Sequence, residues 1–498
     1  MALNLSDLIE QARLAARSVM EYGEGLINPT LRLGITGLSR AGKTVFISAL
    51  VHGLVRNGRF PVFEALSEGR IARARLAPQP DDAVPRFDYE GHVKALLADR
   101  VWPESTRQIS ELRLVVEYQS RSGAMRELVL DMVDYPGEWL LDLPLLAKSF
   151  EAWSAETLEM SRRGPRARLA KSWLGHSATL DVAGPAEERV AIETARLFTE
   201  YLAACRNEHY ALSLLPPGRF LMPGDLAGSP ALTFAPLDVA RDDTPPGGSL
   251  WAMMRRRYEA YRNVVVRPFF RDHFARLDRQ IVLVDALAAF NAGPEAVSDL
   301  QEAFRSLLDC FEIGRRTFLR SLLRSRADRI LFAATKADHL HHTNHDRLEA
   351  ILRRMVERAI ARADLAGAAV DVIALAAVRA TREAEVRRGG ATFPCILGVP
   401  APGEHAGSGD RRGPSGKMFD GITEVAVFPG ELPDDPDTLF APGAVTFRGL
   451  TAASAEEADF RFVRFRPPPL ETTGDGVPAL PHIRLDRALQ FLIGDRLA

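Results

Sequence analysis

The stretch Gly37-Leu38-Ser39-Arg40-Ala41-Gly42-Lys43-Thr44 satisfies every position of G-x-x-x-x-G-K-S/T, the loop that wraps a phosphate chain. Its flanks agree with that reading. The apolar run Leu31-Arg32-Leu33-Gly34-Ile35-Thr36 precedes it as a strand, and Thr44 to Asn57 follows as a helix. A strand that delivers a glycine turn into a helix N-terminus points backbone N–H groups and the positive helix end at an anion. Such a chain is held to an α/β fold, with its ligand at the C-terminal ends of the strands. Lys43 is expected on the β- and γ-phosphates of a nucleoside triphosphate, and the Thr44 hydroxyl on Mg²⁺.

The base is chosen farther along. Arg329-Ile330-Leu331-Phe332-Ala333-Ala334 reads as a strand and ends in Thr335-Lys336-Ala337-Asp338, the N/T-K-x-D arrangement of guanine-selective loops. The Asp338 carboxylate can accept from guanine N1–H and the 2-amino group, and adenine offers it neither donor. Leaving that carboxylate unpaired costs about 1–3 kcal/mol, so the choice is energetic as well as geometric. The Lys336 stem is expected along the face of the base.

Between these anchors, the strand Arg126 to Val133 leads into Asp134-Tyr135-Pro136-Gly137, a D-x-x-G. Asp134 can hold Mg²⁺ through water and the Gly137 N–H can meet the γ-phosphate; a plain strand-closing turn has the same composition. Upstream, Val101-Trp102-Pro103-Glu104-Ser105-Thr106-Arg107 precedes another strand, Glu111 to Tyr118. Thr106 is the candidate switch ligand of the metal and Ser105 the fallback, though a Ser-Thr pair also serves as a turn or cap.

Together these segments resemble the YcjX-like stress-protein GTPases, a bacterial family of Ras-like P-loop proteins. The resemblance rests on G-L-S-R-A-G-K-T at 37–44, W-P-E-S-T at 102–106, D-Y-P-G-E-W at 134–139 and T-K-A-D-H at 335–339. It continues in Gly228-Ser229-Pro230-Ala231-Leu232 and Pro481-His482-Ile483-Arg484-Leu485-Asp486, so it covers nearly the whole chain. It implies GTP and GDP binding, slow intrinsic hydrolysis and a role in stress response. It also implies that Ser39, Arg40, Ala41, Gly42, Lys43, Thr44, Trp102, Ser105, Thr106, Arg107, Lys336, Asp338 and His339 surround the nucleotide. In Ras-like proteins an S-A-x loop offers a backbone N–H to guanine O6. Here it reads Ala376-Ala377-Val378, and Val378 is the expected base contact.

One departure bears on mechanism. Glu138 follows Gly137 where small GTPases place a water-orienting glutamine. A carboxylate can still accept from water, but beside the γ-phosphate like charges repel, so turnover is expected to be slow and Glu138→Gln to quicken it. Arg40 and Arg107 are candidates for a cationic finger supplied in cis, and each is equally readable as an ordinary phosphate or surface contact.

Bulk properties set the class. A chain of 498 residues exceeds one compact core, so two or three domains are expected. A net charge of −2 gives no pull towards nucleic acid or an anionic membrane. Cys205, Cys310 and Cys395 are far apart and outside C-x-x-C spacing, which suits buried thiols in a reducing cytoplasm. Met1 to Tyr22 lacks a signal-peptide pattern and reads as a helix capped by Ser6, with Leu8, Ala12, Ala15 and Val19 along one stripe. No apolar run approaches the roughly 18 residues of a transmembrane helix. A cytoplasmic protein is expected, and nothing demands an oligomer, so a monomer is.

Organisation follows from texture. Residues 1–140 and 280–380 read as a Ras-like GTPase domain. Its six strands are the phosphate-loop strand, the Glu111–Tyr118 and Arg126–Val133 hairpin turned at Gly123, Gln280–Asp285, Arg329–Ala334 and Ala369–Leu375. Helices are expected at Thr44–Asn57, Ser298–Arg324 and His345–Ala363. Residues 141–279 are too long for a loop and read as an inserted, mainly helical domain. Within it, Glu187 to Glu208 carries Val190, Thr194, Leu197 and Tyr201 at helical spacing, and the basic run Arg162 to Arg168 reads as a solvated turn. Residues 381–480 read as a small β-rich module with pieces at Ile422–Phe428, Gly443–Arg448 and Phe460–Arg466, and with Glu404–Gly416 a candidate for disorder. Residues 481–498 close the chain with an amphipathic helix.

His339, His341 and His342 invite a metal reading, but no Cys or carboxylate lies at ligand spacing that would complete a tetrahedral set, so no zinc is expected. Three functions compete: a slow GTPase switch acting on an unidentified protein partner, a guanine-nucleotide scaffold that rarely turns over, and a P-loop ATPase or kinase. Asp338 argues against the third.

Overall fold

Seven segments rich in Val, Ile and Leu pair into one sheet in this computed structural model, which is described over residues 30–37, 40–79, 81–207, 209–238, 245–313, 327–365, 367–388, 390–404, 418–440, 462–470 and 479–498. They are β1 (Thr30–Gly37), β2 (Ile71–Ala77), β3 (Ser110–Gln119), β4 (Met125–Asp134), β5 (Arg279–Val284), β6 (Arg329–Ala334) and β7 (Ala369–Ala374). Their order is β2-β3-β4-β1-β5-β6-β7. From β4 to β7 every neighbour pair is parallel; β2–β3 and β3–β4 are antiparallel. The fold is α/β, the P-loop GTPase arrangement expected from the motifs, with a separate small antiparallel sheet.

Alternation along the strands assigns the two faces. On β5, Ile281 and Leu283 share a core with Leu33 and Ile35, whereas Val282 and Val284 point to the opposite face. The first face is covered by α1 (Lys43–Val55) and by a C-terminal helix described below. The second is covered by α2 (Phe150–Ser161), α3 (Glu188–Arg206), α4 (Leu250–Ala260), α5 (Ala286–Ala292), α6 (Pro294–Ile313), α7 (His345–Met355) and α8 (Glu357–Leu365). Residues between 137 and 276 thus bury Trp153, Trp173, Phe198, Phe234 and Tyr258 in the same core that receives Val282 and Phe332. A 3-10 run, Gly137–Ala147, carries the chain from β4 into these helices.

The strand β2 is absent from the six expected. Its alternation is short and carries Arg73 and Arg75, as befits an edge strand, and it shifts register between Ile71 and Arg73. The expected 345–363 helix is two helices broken at Val356. On α3 the buried stripe is Ala191, Thr194, Ala195, Phe198 and Tyr201, one position round from part of the expected one. The basic run is only in part a solvated turn: Arg162, Arg163 and Arg168 are exposed, but Gly164–Leu169 is a short helix whose Arg166 is buried, 2.5 Å from Asp299 on α6; burial lowers its pKa, and the Asp299 charge outweighs that and raises it.

Beyond β7, β8 (Arg382–Arg388), β9 (Ala391–Gly398) and β10 (Val425–Val427) form an antiparallel sheet in the order β10-β9-β8. A bridge joins Pro400 to Phe465. The chain then returns as α9 (Leu485–Ile493), which buries Leu485, Ala488, Leu489, Leu492 and Ile493 against the α1 face of the main sheet. Arg279, 1% exposed, ties β5 to Leu492 O and Asp495, both at 2.8 Å. The expected N-terminal helix, the Gly443–Arg448 piece and nearly all of the Glu404–Gly416 loop lie outside the described residues, as does the end of the Ser298–Arg324 helix. Among the described residues no helix is long and apolar enough to cross a membrane.

Candidate nucleotide site

The C-terminal ends of β1, β4, β5, β6 and β7 open on a cavity of about 580 Å³. Its floor is the phosphate loop. Gly42 takes φ +82°, a left-handed turn that glycine adopts without strain, and this starts α1 with its first N–H groups directed at the cavity. Lys43 is buried and its Nζ donates to Gly37 O at 3.2 Å, which folds the ammonium back over the loop. Arg40, Ala41, Gly42, Lys43 and Thr44 line the cavity; Ser39 lies outside the described residues.

A second cluster assembles beside Thr44. Its Oγ1 is 3.3 Å from Thr106 Oγ1, and Thr106 in turn donates to Asp134 Oδ2 at 2.5 Å. Asp134 Oδ1 is buried with no hydrogen-bond partner in the structure. Burial pushes the Asp134 carboxyl up to about 6, while the Lys43 charge and the Thr106 hydrogen bond pull the other way. Two hydroxyls and a carboxylate with an unused oxygen form an all-oxygen donor set, which suits a hard cation such as Mg²⁺. Trp102 and Ser105 also line the cavity. Trp102 is tied to the β-rich part by its Nε1, which donates to Phe465 O at 2.6 Å.

The base end is built from two loops. Lys336 takes a left-handed φ of +61°, and its Nζ lies 2.5 Å from Asp285, a residue the motifs did not single out. Asp338 is buried, with Oδ2 accepting from Ala380 N at 2.8 Å and its carbonyl accepting from Thr381 Oγ1. His339 is packed edge-on against Phe465, and burial holds its imidazole below the usual histidine pKa. Val378 lines the cavity on the loop after β7. That loop is held by the C-terminal segment: Ala376 and Ile483 exchange hydrogen bonds at 3.0 and 2.9 Å, and Arg379 N donates to Pro481 O at 2.7 Å.

Three described residues expected at the site are outside the cavity lining: Asp134, which reaches it through Thr106, and Arg107 and Gly137. Arg107 is about three-quarters exposed, paired with Glu104 at 2.9 Å, and does not line the cavity; the segment turns its side chain to solvent. Gly137 is buried at the start of the 3-10 run and is likewise outside the lining. Glu138 does line it, but not as an uncompensated charge: Arg206, the last residue of α3, lies 2.8 Å away. The premise of bare repulsion at 138 therefore does not hold. Arg206, Asp285, Asn291, Glu404, Phe462, Arg464 and Phe465 all line the cavity without belonging to any motif. A charged residue at the end of the long Glu187–Glu208 helical pattern is the only trace of Arg206 in the sequence.

The argument against a metal at the histidines also changes. Glu383 on β8 comes within 2.9 Å of His342, and donor atoms of His341, His342 and Glu383 all lie within 4.8 Å of one another. Spacing along the chain could not show a carboxylate delivered by a distant strand. Arg379, 3.6 Å from Glu383, competes for it.

Comparison with known proteins agrees with the geometry. The family model described as "YcjX-like family, DUF463" matches residues 31–497. A protein of Escherichia coli (strain K12) named "Ras-like GTPase YcjX" is 36% identical over 488 residues, covering 94% of this chain and 96% of its own. A protein of the same name from Shewanella oneidensis (strain MR-1) is 32% identical over 520 residues, covering 97% and 99%.

Proposed function

The chain belongs to the YcjX-like family, and on that premise we propose that it binds GTP and GDP, hydrolyses GTP slowly with Mg²⁺, and works as a cytoplasmic, monomeric stress-response switch read by a protein partner. One observation carries the nucleotide part: the phosphate loop, Thr106, Glu138 and the Thr335–His339 loop, distant in sequence, line a single cavity. Lys43 and the α1 N-terminus would bind the phosphates and Asp338 the guanine edge. Thr44, Thr106 and Asp134 would hold Mg²⁺, which when bound neutralises charge on the β- and γ-phosphates.

The switch part is supported by what the cavity walls are attached to. Trp102 is bonded to the β-rich part and Glu138 to the helical region, so a change at the γ-phosphate can be passed to both. The Glu138–Arg206 pair also favours a second reading, a nucleotide-binding scaffold that seldom turns over, because the guanidinium engages one of the two carboxylate oxygens, Oε1.

Competition binding with labelled GDP and single-turnover hydrolysis test the proposal. Excess GTP should displace the label and excess ATP should not; Asp338→Ala should weaken GTP by about 5- to 150-fold. Lys43→Ala should abolish turnover. ATP competing as well as GTP would overturn guanine selectivity, and wild-type hydrolysis no faster than Lys43→Ala would leave only the scaffold.

A further inference from the structure

Arg206 ends α3, outside every nucleotide motif, yet its guanidinium reaches Glu138 at 2.8 Å inside the cavity that contains Lys43 and Thr44. The Glu138 side chain is 6% exposed and that of Arg206 22%, so the pair is largely withdrawn from water. An ionised carboxylate next to a γ-phosphate is repelled by it. A guanidinium at hydrogen-bond distance removes the net charge of the unit while leaving the carboxylate lone pairs to accept from water. The same region grips the next residue as well. Arg206 Nη1 is 3.6 Å from Met222 Sδ, and the Met222 carbonyl accepts from Trp139 Nε1 at 2.9 Å. The Arg219 guanidinium covers the Trp139 ring at 3.2 Å from its centroid. Glu138 is thus held by charge and Trp139 by a hydrogen bond and a stacked cation.

We infer that Arg206 is a positioning residue for hydrolysis at this site and acts through Glu138, keeping its carboxylate charge-compensated and aimed at the attacking water. The inference rests on the GTPase reading and adds to it a residue from the helical region. In the step itself, the water oxygen bonds to the γ-phosphorus and the bond from that phosphorus to the β–γ bridging oxygen breaks. The bridging oxygen leaves with the electron pair as GDP, and the water proton ends on the released phosphate. Glu138 accepts a hydrogen bond from the water and takes no proton from it.

The test is a double-mutant cycle read by single-turnover GTP hydrolysis and by GDP affinity, on the full chain, for wild type, Arg206→Ala, Arg206→Lys, Glu138→Ala and Arg206→Ala/Glu138→Ala. Arg206→Ala should hydrolyse about 10-fold or more slowly, with GDP affinity within about twofold of wild type. Arg206→Lys should recover part of the rate, and the double variant should match Glu138→Ala. The inference is overturned if Arg206→Ala turns over at the wild-type rate, or if its loss multiplies that of Glu138→Ala, which would mean direct contact with the phosphate. Loss of GDP affinity in Arg206→Ala overturns it too, since that marks a structural role. A wild-type protein that binds GTP and never hydrolyses it sinks the GTPase reading instead, and the two failures are therefore distinct.

Discussion

Asp134 and Asp142 are carboxylates buried a few residues apart, and their surroundings give them different tasks. Asp134 keeps an unpartnered oxygen beside two hydroxyls. Asp142 is fully served, accepting from Gly218 N at 2.7 Å and from the Tyr261 hydroxyl at 2.5 Å, and burial pushes it up to about 7. A carboxyl raised in the folded state stabilises while it is neutral, so its contribution is complete below about pH 4 and is lost as pH rises through about 7. The loss is on the order of a few kcal/mol at ~1.4 kcal/mol per pH unit. Asp142→Asn keeps an acceptor for Gly218 and removes the charge. Its melting temperature should exceed that of wild type at pH 8 and converge with it near pH 4; parallel curves for the two proteins would refute the assignment. At this scale the sequence declares cavity-lining residues that belong to local motifs, such as Lys43, Thr44 and Asp338, because the phosphate loop and T-K-x-D are recognised by spacing. It is silent on Arg206 and Asp285, whose roles depend on which distant side chain they meet.

The elements were legible where periodicity was long. β1, β4, β5, β6 and β7 are apolar runs buried on both faces, and α9 shows its stripe plainly. β2, β8 and β9 escaped: the first two are edge strands carrying charges, Arg73 and Arg75 in one and Glu383, Glu385 and Arg387 in the other, which hide a period of two, and Pro394 interrupts the run of β9. α9 covers the same sheet face as α1, so its packing is part of the core on that face. Leu489, fully buried there, should cost about 2–5 kcal/mol when cut back to Ala. Urea unfolding measures this, and a loss under ~1 kcal/mol would show α9 to be peripheral.

Across the whole molecule, the helical region and the sheet share one hydrophobic core, and the D-x-x-G tail is in tight backbone contact with Gly218. A Cβ on Gly218 would sit 1.9 Å from the Glu138 carbonyl oxygen, so only glycine allows the two backbones to meet. Gly218→Ala must displace one of them. It should slow single-turnover hydrolysis by about 10- to 100-fold and leave GDP affinity near wild type, since the atoms that a Gly218 Cβ would meet first all belong to Glu138 and none to the phosphate loop or Asp338. An unchanged rate would mean that Glu138 is not held from this side.

The bridge between Ala376 and Ile483 has a bearing on biosynthesis. The loop after β7, which lines the cavity, is braced by residues translated long after the phosphate loop. A nascent chain still in the ribosome tunnel therefore has an unbraced pocket. Nucleotide capture is therefore expected only after the Pro481–Ile483 segment has been made.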